Sequence, residues 1–332
     1  MTSAAPSTDA ATPAGRDLAE LAHRVATHPG TLGKAAIGLV SEVLGGADWL
    51  GGPGDDGAVV DTAGGRVVAC GEALWPPFVA RDPWGAGFAA VLTNVNDVAA
   101  MGAEPLGIVN TLSASEGHAR AALEGMRRAC ALYDVRILGG HLTRHEGEPS
   151  VSAFALGEVD EPLSVTRVAP GQSLVVAAAL DGTMRSDFPF FPAFEQRGER
   201  CAGDVRLLAA LARAGSCVAA KDVSMAGLVG SLAMLLEWGT FGVEVDLDLL
   251  PIPVGVDAGD WLTCFPSFCF VLCVPPGREA VAVAPFHARG LEAAVVGRID
   301  QTGLVRLRRG PDVATAFDLT RQGVTRLARG DR

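Results

Sequence analysis

The chain has 332 residues, of which 49% are hydrophobic and 20% charged, and its formal net charge is −11 at pH 7. This length and apolar content suffice for two domains with buried cores, while the acidic balance argues against nucleic acid, whose binding requires a basic face. The longest apolar runs, 174–180 and 261–274, are too short to span a bilayer, so a membrane is not expected as a partner either.

The N-terminal residues 1–15 are small and polar and lack the apolar stretch of a signal peptide. We expect a disordered tail and a cytoplasmic protein. The seven cysteines are scattered and form no CxxC pair, which argues against a disulfide framework. Helices are predicted over 16–27 and 34–44, with a glycine-containing link between them.

Only two of the 27 basic residues are lysines, Lys34 and Lys221, and all others are arginine. A lysine ammonium is compact and mobile, which suits contact with a phosphate or an acyl phosphate. We predict a catalytic role for Lys34 and a phosphate-binding role for Lys221. Chance retention under codon bias is the alternative.

Adjacent carboxylates, Asp55 and Asp56, precede a predicted hairpin with strands at 58–61 and 66–70. Neighbouring carboxylates form the hard oxygen site that Mg²⁺ prefers, although Gly and Asp are equally typical of a solvated turn. Glu72 follows the second strand. It is predicted as a further ligand, with a solvated strand end as the alternative.

Residues 86–103 have apolar positions at helical spacing and a single charge, Asp97. A buried carboxylate is costly unless a cation or hydrogen-bond donors meet it, so the segment predicts a metal ligand at Asp97. Asn96 is predicted to orient Asp97 or to bind phosphate through its amide.

A strand over 106–112, a helix over 116–133 and a strand over 135–138 are predicted next, before Gly139 and Gly140. Glycine backbone N–H groups can approach phosphate oxygens closely, so both are predicted to bind phosphate. His141 is predicted as a general base or as a hydrogen-bond donor to a phosphate. A zinc pair of His141 and His145 is disfavoured because the segment is expected to be a loop.

A strand over 150–158 closes the first domain, and the boundary is expected at 162–171. Alternating strands and helices predict a ferredoxin-like α+β unit over 16–161. The second domain, 162–332, is predicted as α/β, with helices at 203–214, 225–238 and 278–288 and strands at 243–246, 268–274 and 291–299. Asp222 precedes the second of these helices, where it is either a helix cap or a metal ligand.

Four motifs occur in order, namely Gly54-Asp55-Asp56-Gly57, the run from Asn96 to Pro105, Gly139-Gly140-His141, and Lys221-Asp222-Val223-Ser224. Together they resemble the PurM-like superfamily, and most closely its AIR synthase-related branch. The resemblance implies a two-domain α+β fold whose N-terminal sheets pair across a homodimer to form a barrel. It also implies Mg²⁺ and ATP, bound in a cleft near the domain boundary.

The resemblance implies an Mg-ATP-dependent enzyme that activates an amide or carboxyl oxygen of a small molecule by phosphorylation. A small-molecule kinase similar to thiamine monophosphate kinase is one alternative. The other is a nucleotide-binding subunit without activity, since Met225-Ala226 stands where many members carry Asp-Gly. Aromatic and proline residues at 76–78, 84 and 188–192 are expected to line the substrate pocket or to pack on a partner subunit.

Overall fold

The computed structural model describes residues 13–45 and 54–327. The chain begins with α1 (Pro13–Ala26), α2 (Pro29–Gly33), a 3₁₀ turn (Lys34–Ile37) and α3 (Gly38–Leu44). The first predicted helix therefore starts three residues earlier than expected and shortens the predicted tail, whose residues 1–12 lie outside the described residues. The second predicted helix begins as the 3₁₀ turn.

The first domain is a five-stranded sheet with helices on one face. Its elements are β1 (Ala58–Thr62), β2 (Gly65–Ala73), α4 (Pro76–Arg81), α5 (Pro83–Ala100), β3 (Glu104–Ala114), α6 (Glu116–Tyr133), β4 (Ile137–Arg144) and β5 (Ser150–Val159). The strand order is β1-β2-β5-β3-β4. The predicted hairpin is confirmed, since β1 and β2 are antiparallel and joined by a tight turn.

Helix α5 begins three residues before the apolar run over 86–103 that predicts it and ends three residues before the end of that run. The Asp82 carboxylate caps it by accepting the Gly85 N–H at 2.8 Å, and Pro83 occupies the first turn, where its missing N–H costs nothing. Helices α5 and α6 approach closely through Gly87 and Gly125. A Cβ on Gly87 would lie 1.9 Å from the Ala122 carbonyl oxygen, and one on Gly125 would lie 2.0 Å from that of Trp84.

The ferredoxin-like element order is wrong. From β2 onward the order is β-α-β-α-β-β, because α6 crosses over between β3 and β4 and makes them parallel. Strand β4 also runs through Gly139, Gly140 and His141, which were expected in a loop. It is the edge of the sheet, and all eight of its residues are exposed.

The second domain is a seven-stranded sheet with the order β14-β13-β9-β12-β6-β11-β8. Its elements are β6 (Ser173–Ala178), β7 (Phe190–Phe191), α7 (Phe194–Arg197), α8 (Arg200–Asp204), α9 (Leu207–Arg213), β8 (Ala219–Asp222), α10 (Gly227–Glu237), β9 (Gly242–Asp246), α11 (Ala258–Thr263), β10 (Phe265–Pro266), β11 (Cys269–Val274), α12 (Glu279–His287), β12 (Glu292–Asp300), β13 (Leu304–Arg309) and β14 (Asp312–Asp318). Strands β6 and β11 are buried throughout.

The α/β prediction for this domain is wrong in detail, because the described ladders of its large sheet are antiparallel except the β9–β13 pair. The sequence-based prediction also missed the β13–β14 hairpin, where arginines alternate with apolar residues. Helix α1, assigned to the first domain, packs on β14 and α11 of the second. Among the described residues, no helix is both long and apolar enough to cross a membrane.

The glycine contact between α5 and α6 gives a test of the packing. Gly125→Ala is expected to lower the free energy of unfolding by about 1–3 kcal/mol, because the methyl group meets the Trp84 backbone. Gly117→Ala in the same helix has no atom within 4 Å and is expected to gain about 0.5–1 kcal/mol. Urea unfolding of both variants checks this, and equal effects would contradict the close packing.

Candidate metal and nucleotide site

Three carboxylates from separate segments meet between the two domains. Asp56 precedes β1, Asp97 lies in α5, and Asp222 ends β8. One oxygen from each carboxylate lies within 4.8 Å of an oxygen from each of the other two. Within the described part of the chain, the three carboxylates thus form a group that could bind a metal ion. The predicted convergence of Asp56, Asp97 and Asp222 is thus present in the structure.

Asp222 reaches the cluster from a strand rather than from a helix cap. It pairs with Phe270 of β11 as the last residue of β8, and α10 begins only at Gly227. Its backbone N–H donates to one carboxylate oxygen of Asp56 at 3.2 Å, and the Lys221 ammonium donates to the other. Lys221 and Asp56 form an ion pair whose side chains are each only 6% exposed.

Burial, together with mutual repulsion, makes the ionised form of the clustered carboxylates unfavourable. Desolvation raises the pKa of Asp97 well above its usual value, and Asp222 and Asp56 add to the rise. Desolvation and the Asp56 charge likewise raise the pKa of Asp222 to about 7. Burial acts to lower the pKa of Lys221, but Asp56 and Asp222 outweigh it, so that pKa is raised.

Glu72 and Lys34 border the cluster. Desolvation raises the pKa of Glu72, and the charge of Lys34 offsets only part of the rise. The residue nevertheless retains an exposed surface. Lys34 also favours the charged form of Asp222. Both lysines of the chain therefore act on the carboxylates that were predicted as metal ligands.

The donor set fits a divalent cation. The four carboxylates of Asp56, Glu72, Asp97 and Asp222 and the two lysine ammonium groups leave a formal charge of −2 when all are ionised. Oxygen ligands of this kind are those Mg²⁺ prefers, usually together with phosphate oxygens. A bound cation would offset the repulsion that raises the carboxylate pKa values.

Asp55 does not join the three clustered carboxylates, which corrects its prediction as a metal ligand. One of its oxygens accepts the Ser164 hydroxyl and the other accepts the Val165 N–H, both at 2.7 Å. Its carboxylate thus contacts the segment between the two sheets, while Asp56 next to it contacts the cluster.

Asn96 also differs from its prediction as a phosphate ligand. It is 1% exposed, and its amide nitrogen donates to the Ser267 carbonyl of the second domain at 3.2 Å. Its side-chain oxygen is buried and has no hydrogen-bond partner in the described structure.

The structure does not bring His141 to the clustered carboxylates. In the strand register, Ala153 of β5 lies between Glu72 of β2 and Asn110 of β3, and Gly140 of β4 lies next to Asn110. Paired residues point to the same side of a sheet, so these four residues share the helix-covered face. His141 is the next residue and lies on the open face. A Cβ on Gly140 would lie 2.5 Å from the Asn110 carbonyl oxygen, which gives this glycine a packing reason. Gly139, on the open face, has nothing within 4 Å of such a Cβ.

A zinc pair of His141 and His145 is ruled out by the strand. Residues four apart in an extended strand are about 13 Å apart, because each residue advances about 3.3 Å. His141 lies within β4, and His145 directly follows its last residue. All seven cysteines are free thiols, and six of them are buried.

The aromatic residues considered for a substrate pocket pack largely within the chain. Phe190 lies 5.4 Å from Phe265 between ring centroids, and Phe191 meets the edge of Trp261 at 5.3 Å. Trp84 stacks on Phe88 but remains 42% exposed. Packing inside one chain thus accounts for the two phenylalanines.

No sequence pattern predicts the contact of the N-terminal segment with the loop after Asp222. The Thr31 hydroxyl donates to the Ala226 carbonyl at 3.0 Å, and a Cβ on Gly30 would lie 1.8 Å from the Met225 carbonyl oxygen. This contact is what holds the segment carrying Lys34 beside the second domain.

Comparison with known proteins identifies the family. Residues 54–159 match the N-terminal domain, and residues 172–309 the C-terminal domain, of AIR synthase-related proteins. An uncharacterised protein of Synechocystis sp. is 33% identical over 275 residues, which cover 82% of this chain and 85% of that protein. The chain belongs to the AIR synthase-related family of the PurM-like superfamily.

The relatives named PurL are longer than this chain. The phosphoribosylformylglycinamidine synthase subunit PurL of Thermosynechococcus vestitus is 28% identical over 293 residues, and the match spans 79% of this chain but only 38% of PurL. Thermotoga maritima PurL complexed with FGAR has a TM-score of 0.74 at 18% identity and covers 94% of this chain and 54% of its own. AaThiL complexed with AMPPCP and TMP has a TM-score of 0.64 at 19% identity, over 85% of this chain and 96% of its own. At these identities the structures show the shared fold.

The raised pKa of Asp222 predicts how stability depends on pH. Between about pH 4 and 7 the folded protein holds a proton that the unfolded chain releases, since the pKa rises from 3.8 to about 7. The metal-free protein should therefore lose stability as pH rises through this window. Asp222→Asn keeps the size of the side chain and cannot ionise, so it should remove this loss.

Melting temperatures of both proteins in a chelator, measured from about pH 4.5 to 8, check this. The melting temperature of the wild type minus that of Asp222→Asn is expected to fall as the pH rises. A difference that rises with pH would show that Asp222 has a lowered pKa.

Proposed function

We propose that the chain is a cytoplasmic Mg-ATP-dependent enzyme that activates an amide or carboxyl oxygen of a small molecule by phosphorylation. The observation that carries this proposal is the buried cluster of Asp56, Asp97 and Asp222 beside both lysines. Relatives of the same fold have been seen with nucleotides, among them PurL with ATP and AaThiL with AMPPCP. The free cysteines agree with a reducing compartment.

In this proposal Asp56, Asp97 and Asp222 hold Mg²⁺, with Glu72 at the edge of the site. The cation would supply charge neutralisation to the phosphates of ATP. Lys34, which is partly exposed, would contact the transferred phosphoryl group. Lys221 holds Asp56 in position and contributes a fixed positive charge next to the phosphates.

The protein's contribution to such chemistry is positioning and charge stabilisation. Nucleophilic attack by the substrate oxygen on the γ-phosphorus would release ADP. In a ligase or cyclase, a second nucleophile then displaces inorganic phosphate. The proposed substrate is a small molecule that carries an amide or carboxyl group.

A small-molecule kinase is the second candidate, favoured by the likeness to AaThiL over 96% of that chain. Product analysis separates the two, since ADP with inorganic phosphate supports a ligase or cyclase and ADP with a stable phosphorylated product supports a kinase. Met225 instead of an acidic residue favours a third candidate, a nucleotide-binding subunit without turnover.

We also propose a homodimer formed through the open face of the first sheet. This face is not covered by the helices α5 and α6. It carries large apolar side chains that are 45–51% exposed, namely Val60, Leu106, Leu138 and Phe154. An apolar patch of this kind is typical of a protein interface.

Replacing Asp97 tests the proposed metal site. Asp97→Asn removes the charge but keeps the size of the side chain, so Mg-ATP should no longer raise the melting temperature beyond ATP alone. The fold should persist, because the substitution also removes repulsion with Asp222 and Asp56. An unchanged Mg²⁺-dependent shift would contradict the role of Asp97 as a ligand.

Replacing Phe154 tests the dimer. Phe154→Asp puts a charge into the apolar face and is expected to yield a monomer by light scattering. Val254→Asp is the matched control, because Val254 is fully exposed in the second domain and should leave the mass unchanged. A Phe154→Asp protein with wild-type mass would refute this interface.

A further inference from the structure

Asp56 and Asp97, the two clustered carboxylates of the first domain, each directly follow a residue bonded to a segment outside that domain. Asp55, before Asp56, accepts hydrogen bonds from Ser164 and Val165. Asn96, before Asp97, donates to the Ser267 carbonyl. We infer that Asp55 and Asn96 are positioning residues that fix the two domains so that Asp56 and Asp97 meet Asp222. This inference rests on the proposed metal site.

The Asp55 contact is connected to the strand that carries Asp222. The Ser164 N–H donates to the Val218 carbonyl at 3.1 Å, and β8 begins at the next residue. The Leu163 N–H donates to the Met101 carbonyl of the first domain at 3.0 Å. The segment around Ser164 thus binds both domains, and Asp55 holds it with two short bonds.

The Asn96 contact and the Asp55 contact lie at opposite ends of the β8–β11 strand pair. Ser267 is two residues before β11, which pairs with β8. The Ser267 N–H donates to the Phe191 carbonyl at 2.9 Å, so the accepting segment is itself fixed in the second domain. Asp55 and Asn96 therefore hold the first domain at two points, near the start of β8 and near its partner strand.

Both residues form hydrogen bonds to groups outside the cluster of Asp56, Asp97 and Asp222. Both Asp55 oxygens accept hydrogen bonds, and the Asn96 amide nitrogen donates across the domain boundary. In this inference each residue acts on the metal through the carboxylate that follows it. Loss of either bond should let a carboxylate drift from the cluster and weaken metal affinity more than it weakens the fold.

The test uses Mn²⁺ alone as the probe, with its affinity for the full chain measured by electron paramagnetic resonance. Ser164→Ala removes one donor to Asp55 and leaves every charge in place. Asn96→Ala removes the bond to Ser267. Each is expected to weaken Mn²⁺ binding about fivefold, as the loss of one net hydrogen bond implies.

Asn94→Ala is the matched control. Asn94 lies in the same helix and is fully buried, but its amide bonds to Ala90 and Ala153 stay within the first domain. It should lower the melting temperature while keeping wild-type Mn²⁺ affinity. Combining Asp55→Asn with Ser164→Ala should cost less than the sum of the two, whereas Asp55→Asn with Asn96→Ala should be additive.

Mn²⁺ affinities of Ser164→Ala and Asn96→Ala within twofold of wild type would overturn the inference and leave the proposed function standing. An equal loss in Asn94→Ala would overturn it too, since it would reduce the effect to general stability. Absence of Mn²⁺ binding by the wild type would overturn it together with the metal site. Mn²⁺ binding with the expected losses but no ATP turnover would support the inference and refute the proposed function.

Discussion

Burial and like charge make the cluster of three carboxylates between the two domains costly to ionise. Asp56, Asp97 and Asp222 come from two domains and lie within 4.8 Å of one another, in surroundings that exclude much of the solvent. Desolvation and the neighbouring carboxylates raise the pKa values of Asp97 and Asp222, and Lys221 offsets only part of the rise. A fold that keeps such a cluster gives up stability, and binding of the proposed cation would recover it.

The rest of the architecture serves to place these groups. The sheet of the first domain supports α5, the helix that carries Asp97. Close contact through Gly87 and Gly125 holds α5 against α6. The buried strands β6 and β11 of the second domain support β8, which ends at Asp222. The N-terminal segment brings Lys34 to the same place through the contact of Thr31 with Ala226. Site and domain boundary are therefore one structural feature.

Much of this was predictable from the sequence. A lone carboxylate in an apolar helix predicts a compensating partner, and this argument found Asp97 correctly within the cluster. Composition made the two lysines conspicuous, and both act on the clustered carboxylates. Helix α5 was predicted because apolar periodicity over a long segment is a local signal.

The remainder depends on contacts between distant segments. Local pattern could not decide between Asp55 and Asp56, because the choice is made by Ser164 and Val165, over 100 residues away. Strand β8 has only four residues, all buried, so it carries no alternation to read. Two glycines before His141 suggested a loop, yet pairing with β3 extends the strand through them.

The most direct measurement is a crystal structure with Mn²⁺ and a non-hydrolysable ATP analogue, with the metal located by its anomalous signal. The account predicts one metal ion in contact with oxygens of Asp56, Asp97 and Asp222 and of the polyphosphate, at about 2.1–2.2 Å. Nucleotide bound elsewhere, or three carboxylates that move apart and pair with separate protein groups, would contradict it.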